Sequence, residues 1–275
     1  MTSMNARTSK GFTIIETVLF LGVTGLMIAG MFIGIGSSLG VQRYKDSVES
    51  FKSLLQQQYA DIASVKNGRE GVWACTVASG RLSVQKLATG ATTGALPGQG
   101  RCDIIGKYMT VSGGSIKAYT VLSLKTTTPT GSTDIQKLTS SAYTLGVSTA
   151  DVLDTSMEWG AKLSWPQGSN PTDARPVGAT GDRQIAMLFI RSPDGGGIYT
   201  FSSNTVPTDT PTNSQLKAMI VAGTTIPGRA ERLLCVDSDG LVLTANRGIF
   251  LEARAADSAA VRASVNADFS GAQRC

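Results

Sequence analysis

GFTIIETVLFLGVTGLMIAGMFIGIGSSLG, residues 11–40, holds a single charge, the carboxylate of Glu16, in an otherwise apolar run. From Thr17 to Gln42 there are 26 uncharged residues, more than the roughly 20 that a helix needs to span a bilayer. A carboxylate in hydrocarbon is costly unless partnered, and such residues are usually functional. Upstream, MTSMNARTSKG carries Arg7 and Lys10. Positive flanks of this kind keep the N-terminus cytoplasmic, so that the chain beyond the span is exported. A secretory signal peptide fits poorly, because the apolar run is too long and lacks a small-x-small cleavage site before a polar mature start.

Beyond Val41 the composition changes but the period does not. Val41, Tyr44, Val48, Phe51, Leu55, Tyr59 and Ile62 recur three or four residues apart, with Gln, Lys, Asp and Glu between them. That is one apolar stripe on a continuing helix. Residues 12–65 are thus expected to form a single helix about 80 Å long, stopped by Asn67-Gly68. Residues 12–41 are its membrane-spanning half. A plain anchor needs no amphipathic extension, and the stripe calls for a body packed along one side.

The rest is compositionally different. The chain has 275 residues, 31 of them glycine and only 16% charged, and is rich in Thr and Ser, which favours a β-rich, loop-rich body over a helical bundle. Net charge is +5 without a basic block, giving little reason to expect nucleic-acid binding. With no histidine, the commonest general base and metal ligand are missing and a Ser-His-Asp triad is impossible. Cys75, Cys102, Cys235 and Cys275 form no CxxC pair, so zinc-type spacing is absent. An even count beyond a membrane segment suggests disulfides in an oxidising space. Four cysteines allow three pairings. Cys75–Cys102 and Cys235–Cys275 each close a local loop and are the pairs expected, with four buried free thiols as the alternative.

From Val72 onward, short β-prone runs alternate with turn clusters. Strands are expected at Val72–Val77, Arg81–Leu87, Lys107–Val111, Ser115–Lys125, Gln184–Arg191, Ile198–Ser202, Lys217–Ala222, Glu231–Val236, Gly240–Thr244 and Gly248–Glu252. Pro193-Asp194-Gly195-Gly196-Gly197 and Asp237-Ser238-Asp239-Gly240 read as hairpin turns, implying antiparallel pairing on either side. Residues 255–265 are alanine-rich and read as a short helix. Stretches 88–100, 126–141, 166–182 and 203–215 read as surface loops. The body, 66–275, is larger than a minimal head, with an insertion expected near 126–182 that contains Trp159 and Trp165. The fold class expected is α+β: a long N-terminal helix packed on an antiparallel β-sheet head.

Lys10-Gly11-Phe12-Thr13-Ile14-Ile15-Glu16, followed by the apolar stretch, resembles the prepilin signature of type IV pilins and pseudopilins. The resemblance implies cleavage of a leader, residues 1–11, between Gly11 and Phe12 by a membrane aspartyl prepilin peptidase, and N-methylation of Phe12. It implies that Glu16 pairs with the terminal amine of a neighbouring subunit during assembly. Its partners would be other pilin subunits in a homo- or hetero-polymer and a membrane assembly platform with a separate ATPase. The precursor would sit in the inner membrane and the product in a surface filament. The physics of the segment agrees: cleavage would create a cation at the depth of Glu16, a partner that exists only after processing. One departure stands out. Where many pilins carry a proline, this chain has Ile33, and glycines at 22, 25, 30, 34, 36 and 40 instead. Gly30-x-x-x-Gly34 and Gly36-x-x-x-Gly40 repeat the close-packing pattern of membrane helices.

No other chemistry competes. Asp237-x-Asp239-Gly240 resembles a fragment of a calcium loop but lacks the remaining ligands, so a hairpin is the better reading. No GxxxxGK[ST] motif occurs, so the chain is not the ATPase itself. The sequence thus predicts a structural filament subunit without catalytic residue, metal or cofactor. The rival readings are a single-pass anchored binding protein, such as an adhesin, that never polymerises, and, more distantly, an anchored enzyme.

Overall fold

The computed structural model describes residues 13–64, 73–78, 81–87, 102–167, 173, 175, 178, 180–192, 196–206, 208–224, 231–237, 247–265 and 275. The leader, the Gly11–Phe12 junction, Asn67-Gly68, the strand expected at Gly240–Thr244 and most of the Asp237–Gly240 turn lie outside them. The chain divides into two compact units, Met1–Arg43 and Tyr44–Cys275. Helix α1 covers Ile14–Ala63, against an expected 12–65, and the unit boundary falls within it.

In the second unit the α1 stripe is core. Tyr44, Val48, Phe51, Leu55, Tyr59 and Ile62 are all buried, each worth about 1.5–3 kcal/mol on full burial. The tyrosines also find hydrogen bonds. Tyr44 donates to the Val236 carbonyl (2.9 Å) and accepts from the Arg247 amide (2.7 Å). The Tyr59 hydroxyl meets Thr200 Oγ1 at 2.8 Å while its ring stands edge-on to Phe189.

Eleven strands pair antiparallel among the described residues: β1 (Trp73–Ala78), β2 (Arg81–Lys86), β3 (Cys102–Ser112), β4 (Ser115–Lys125), β5 (Tyr143–Ser156), β6 (Lys162–Ser164), β7 (Gln184–Arg191), β8 (Ile198–Ser203), β9 (Arg232–Asp237), β10 (Arg247–Leu251) and β11 (Val261–Val265). They form a β1-β2 ribbon, a sheet β5-β4-β3-β7-β8 and a sheet β11-β10-β9-β6. The larger sheet is buried on both faces. Along β7, Ile185, Met187 and Phe189 join the α1 core. Ala186, Leu188 and Ile190 join a second core with the short helices α2 (Asp134–Thr139) and α3 (Asn213–Thr224). Successive side chains of a strand point to opposite faces, so a strand covered twice is apolar along its covered length, as IAMLFI is within QIAMLFIR. The class is α+β, with a long apolar N-terminal helix and antiparallel sheets.

Two expected elements are corrected. Lys217–Ala222 is not a strand but part of α3, whose Leu216, Met219 and Ile220 are buried while Val221 is exposed. That spacing is helical. Residues 255–265 are mostly not helix. A single 3₁₀ turn at Ser258–Ala260, capped by Asp257, leads into β11, where Val261 is buried and Arg262 exposed. Within residues 126–182, β5 forms an edge of the larger sheet and β6 an edge of the other. Opposite the single residue Tyr119, β5 carries four residues, 149–152, three more than its partner, in a bulge.

Disulfides join Cys75 on β1 to Cys102 on β3, and Cys235 on β9 to Cys275. Gly248 on β10 faces Cys235. A Cβ there would stand 2.8 Å from Cys275 Sγ, so glycine leaves the room that the bridge occupies.

Candidate functional site

From Ile14 to Val41 every large apolar side chain of α1 is exposed, sixteen in all, and none of its most apolar window is buried. Soluble monomers rarely expose a contiguous apolar surface on this scale. By length and composition the helix is apolar enough to cross a membrane. Two threonine hydroxyls in this segment are satisfied within the helix: Thr17 donates to the Thr13 carbonyl at 3.0 Å and Thr24 to Phe20 at 2.7 Å. A helix facing lipid has this requirement, because hydrocarbon offers polar groups no partner.

Glu16 sits exposed in the first turn. The Thr13 amide approaches Glu16 Oε2 at 3.5 Å, and the Glu16 amide donates to Thr13 Oγ1 at 3.3 Å. This reciprocal pair is a capping box, which satisfies two of the amides left over at a helix start. A carboxylate there is also favoured by the helix dipole. The box holds one oxygen of Glu16 loosely and leaves the other for a further donor. Its signal, Thr-x-x-Glu before an apolar run, is plain in the sequence but is masked there by the isolated charge. The same device opens the other two α-helices, through Thr133 with Gln136 and Thr212 with Gln215.

Gly30, Gly34, Gly36 and Gly40 all lie on α1. A Cβ built at Gly30, Gly34 or Gly36 meets nothing within 4 Å, so those positions leave the backbone open to close approach. Gly11 and Phe12, the expected cleavage junction, lie outside the described residues.

The second unit contains a buried ionic cluster that no spacing in the sequence announces. Asp173 accepts from Arg183 and from Arg232 (3.2 Å), and its other oxygen takes the Leu233 amide at 2.8 Å. All three charged side chains are buried. Arg183 also donates to the Leu233 carbonyl and to Asn204, and lies over the Trp165 ring. Burial lowers its pKa, opposed by Asp173; a guanidinium keeps its charge regardless. The cluster joins the loop before β7 to β9 and β8, so its role is in holding the body together. Trp165 is thereby placed in packing, whereas Trp159 is 60% exposed. Among the described residues no group of three His, Cys, Asp or Glu is drawn together in a way that would hold a metal ion.

No protein-family model, curated protein or solved structure matches the chain.

Proposed function

We propose that the chain is a structural subunit, a pilin or pseudopilin, of a type IV pilus-like filament. In this reading it is held in the membrane through Ile14–Val41 until assembly, then polymerised through the same segment. The observation that carries the reading is the position of Glu16. It is the one acid at the start of an exposed apolar helix segment, and among the described residues only a local cap holds it, through one of its two oxygens. A neighbour's Phe12 amine, made by cleavage after Gly11, supplies the missing cation. Neighbouring apolar helices would then cover the sixteen exposed side chains. The buried stripe from Tyr44 to Ile62 supports the reading further, because α1 continues beyond its apolar half into the core of a folded body.

Leader removal tests it. Cutting away Arg7 and Lys10 takes two positive charges from the net +5, leaving +3. Mass spectrometry of surface-sheared material is expected to find chains beginning at Phe12. Recovery of intact peptides spanning residues 7–16 from filaments would refute the proposal. An uncut chain confined to the membrane would support the anchored binding protein instead.

A further inference from the structure

Beside α1 in the second unit, a partly open cavity of about 90 Å³ lies between the helix, β4 and the end of β5. One part of its wall is apolar, with Phe51, Leu54, Ile116 and Met157. The other part carries oxygen: Ser47, Ser50, Thr155, Ser156 and Glu158. Ser47 is buried, and its hydroxyl has no hydrogen-bond partner among the described residues. Ser50 donates to Glu158 Oε1 at 3.0 Å, which leaves the serine lone pairs and the second carboxylate oxygen as acceptors. No basic residue lines the cavity among the described residues.

The turn that presents Glu158 is strained. Trp159 adopts φ 59° and Gly160 φ 72°, a left-handed pair that a bulky aromatic seldom enters. Both ends of the turn are nevertheless fixed, by Met157 N to the Gly114 carbonyl at 2.8 Å and Ala161 N to the Glu158 carbonyl at 3.2 Å. Backbone strain held this firmly clusters at binding sites.

We propose that this cavity receives a lysine side chain presented by a protein partner. A primary ammonium has three donors and no acceptor, which suits a wall that offers hydroxyl and carboxylate oxygens from Ser47, Ser50, Thr155, Ser156 and Glu158. Lysine lays its aliphatic stem on apolar surface while its head stays among polar groups, matching the Phe51, Leu54, Ile116 and Met157 wall. A neutral sugar would set hydroxyls against that wall, and an anion would meet Glu158. The site is separate from the apolar half of α1 and does not depend on polymerisation.

The test uses the full chain in detergent micelles with ¹³C-labelled methionine methyls. Titration with n-butylammonium, and with Nα-acetyl-lysine N-methylamide, is expected to shift the Met157 methyl saturably, with Kd on the order of millimolar for one ion pair in a small pocket. Glu158→Gln should weaken binding about tenfold or more, and Ser47→Ala about three- to tenfold, the worth of one hydrogen bond. Met109 and Met187, buried elsewhere in the core, report that both variants remain folded. No saturable shift with either amine would overturn the proposal, as would an undiminished response in Glu158→Gln. An equal response to n-butanol or D-glucose would do the same. Binding of n-butylammonium without the capped lysine would replace the protein partner with a free amine.

Discussion

Thr13 and Glu16 hold each other's backbone amides at the start of α1, at 3.3 and 3.5 Å. The acid therefore has a structural task within its own chain, whatever it does between chains. Glutamine serves a capping box as well as glutamate does, so the two tasks can be separated by substitution.

Glu16→Gln is expected to keep the helix start and membrane insertion but to block or slow filament assembly. Glu16→Ala should lose the cap as well, at about 1 kcal/mol. Leaving a neighbour's amine without its counter-ion typically costs about 3–5 kcal/mol in a buried setting. An anchored protein that never polymerises should be indifferent to the glutamine, or slightly better off. The measurement is sheared filament yield against membrane-fraction abundance. Normal yield from Glu16→Gln would remove the docking role.

Gly248→Ala is expected to destabilise the body by about 1–3 kcal/mol through overpacking against Cys275 Sγ. Cys275→Ser alone should cost about 3–4 kcal/mol, because the bridge spans a sequence separation of 40. The two are coupled, since removing one sulfur opens the space that the new methyl needs. In urea melts the double variant should therefore lose less than the sum of the singles. Strict additivity would show that the glycine is not there to clear the bridge.

Much of this architecture is written locally. The Tyr44–Ile62 stripe, the bounds of β4 and β7, and the isolation of Glu16 follow from periodicity and charge alone. The misreadings have physical causes. Met219, Ile220, Val221 and Ala222 form a short apolar run that suits a strand, and only the exposure of Val221 and the Thr212–Gln215 box reveal the helix. No strand is expected at Tyr143–Ser156, yet β5 forms an edge of the larger sheet. The Asp173 cluster is illegible in sequence, because Arg183 and Arg232 meet it only through the fold. At the candidate site the acid and the glycines are legible, while the capping function of Thr13 is hidden behind the charge it caps.

Asp173→Asn is expected to cost about 3–5 kcal/mol, because it leaves two buried guanidiniums facing each other with no anion between them. Chemical denaturation of the variant should show a lower midpoint with an unchanged slope. A loss below about 0.5 kcal/mol, the usual range for surface substitutions, would mean that water reaches the cluster.

Alkaline pH should unfold the body. Burial raises the Tyr59 pKa from 10.0 to about 12, and raises those of Tyr44 and Tyr108 as well. A group whose folded pKa is raised stabilises the fold fully below its unfolded value and loses that contribution as pH climbs through the folded one. For Tyr59 the window is pH 10 to 12, and the contribution lost is on the order of 2–3 kcal/mol. Melting temperature should fall across this window, and Tyr59→Phe should flatten the fall. An identical slope in the variant would assign the effect elsewhere.

Residues 149–152, three more than β4 supplies opposite them, interrupt β5 at the margin of its sheet. A sheet margin can be a template on which a second chain adds its own strand and then recruits others. Here β2 packs against β5 at Gly146, where a Cβ would stand 2.5 Å from that of Leu82, and an incoming strand would lose register at the bulge, so that no uninterrupted ladder can extend along the whole of β5. Crowded copies of the body are thereby steered towards contact through side chains, which can part again. Such reversibility protects a protein concentrated side by side from running on into amyloid.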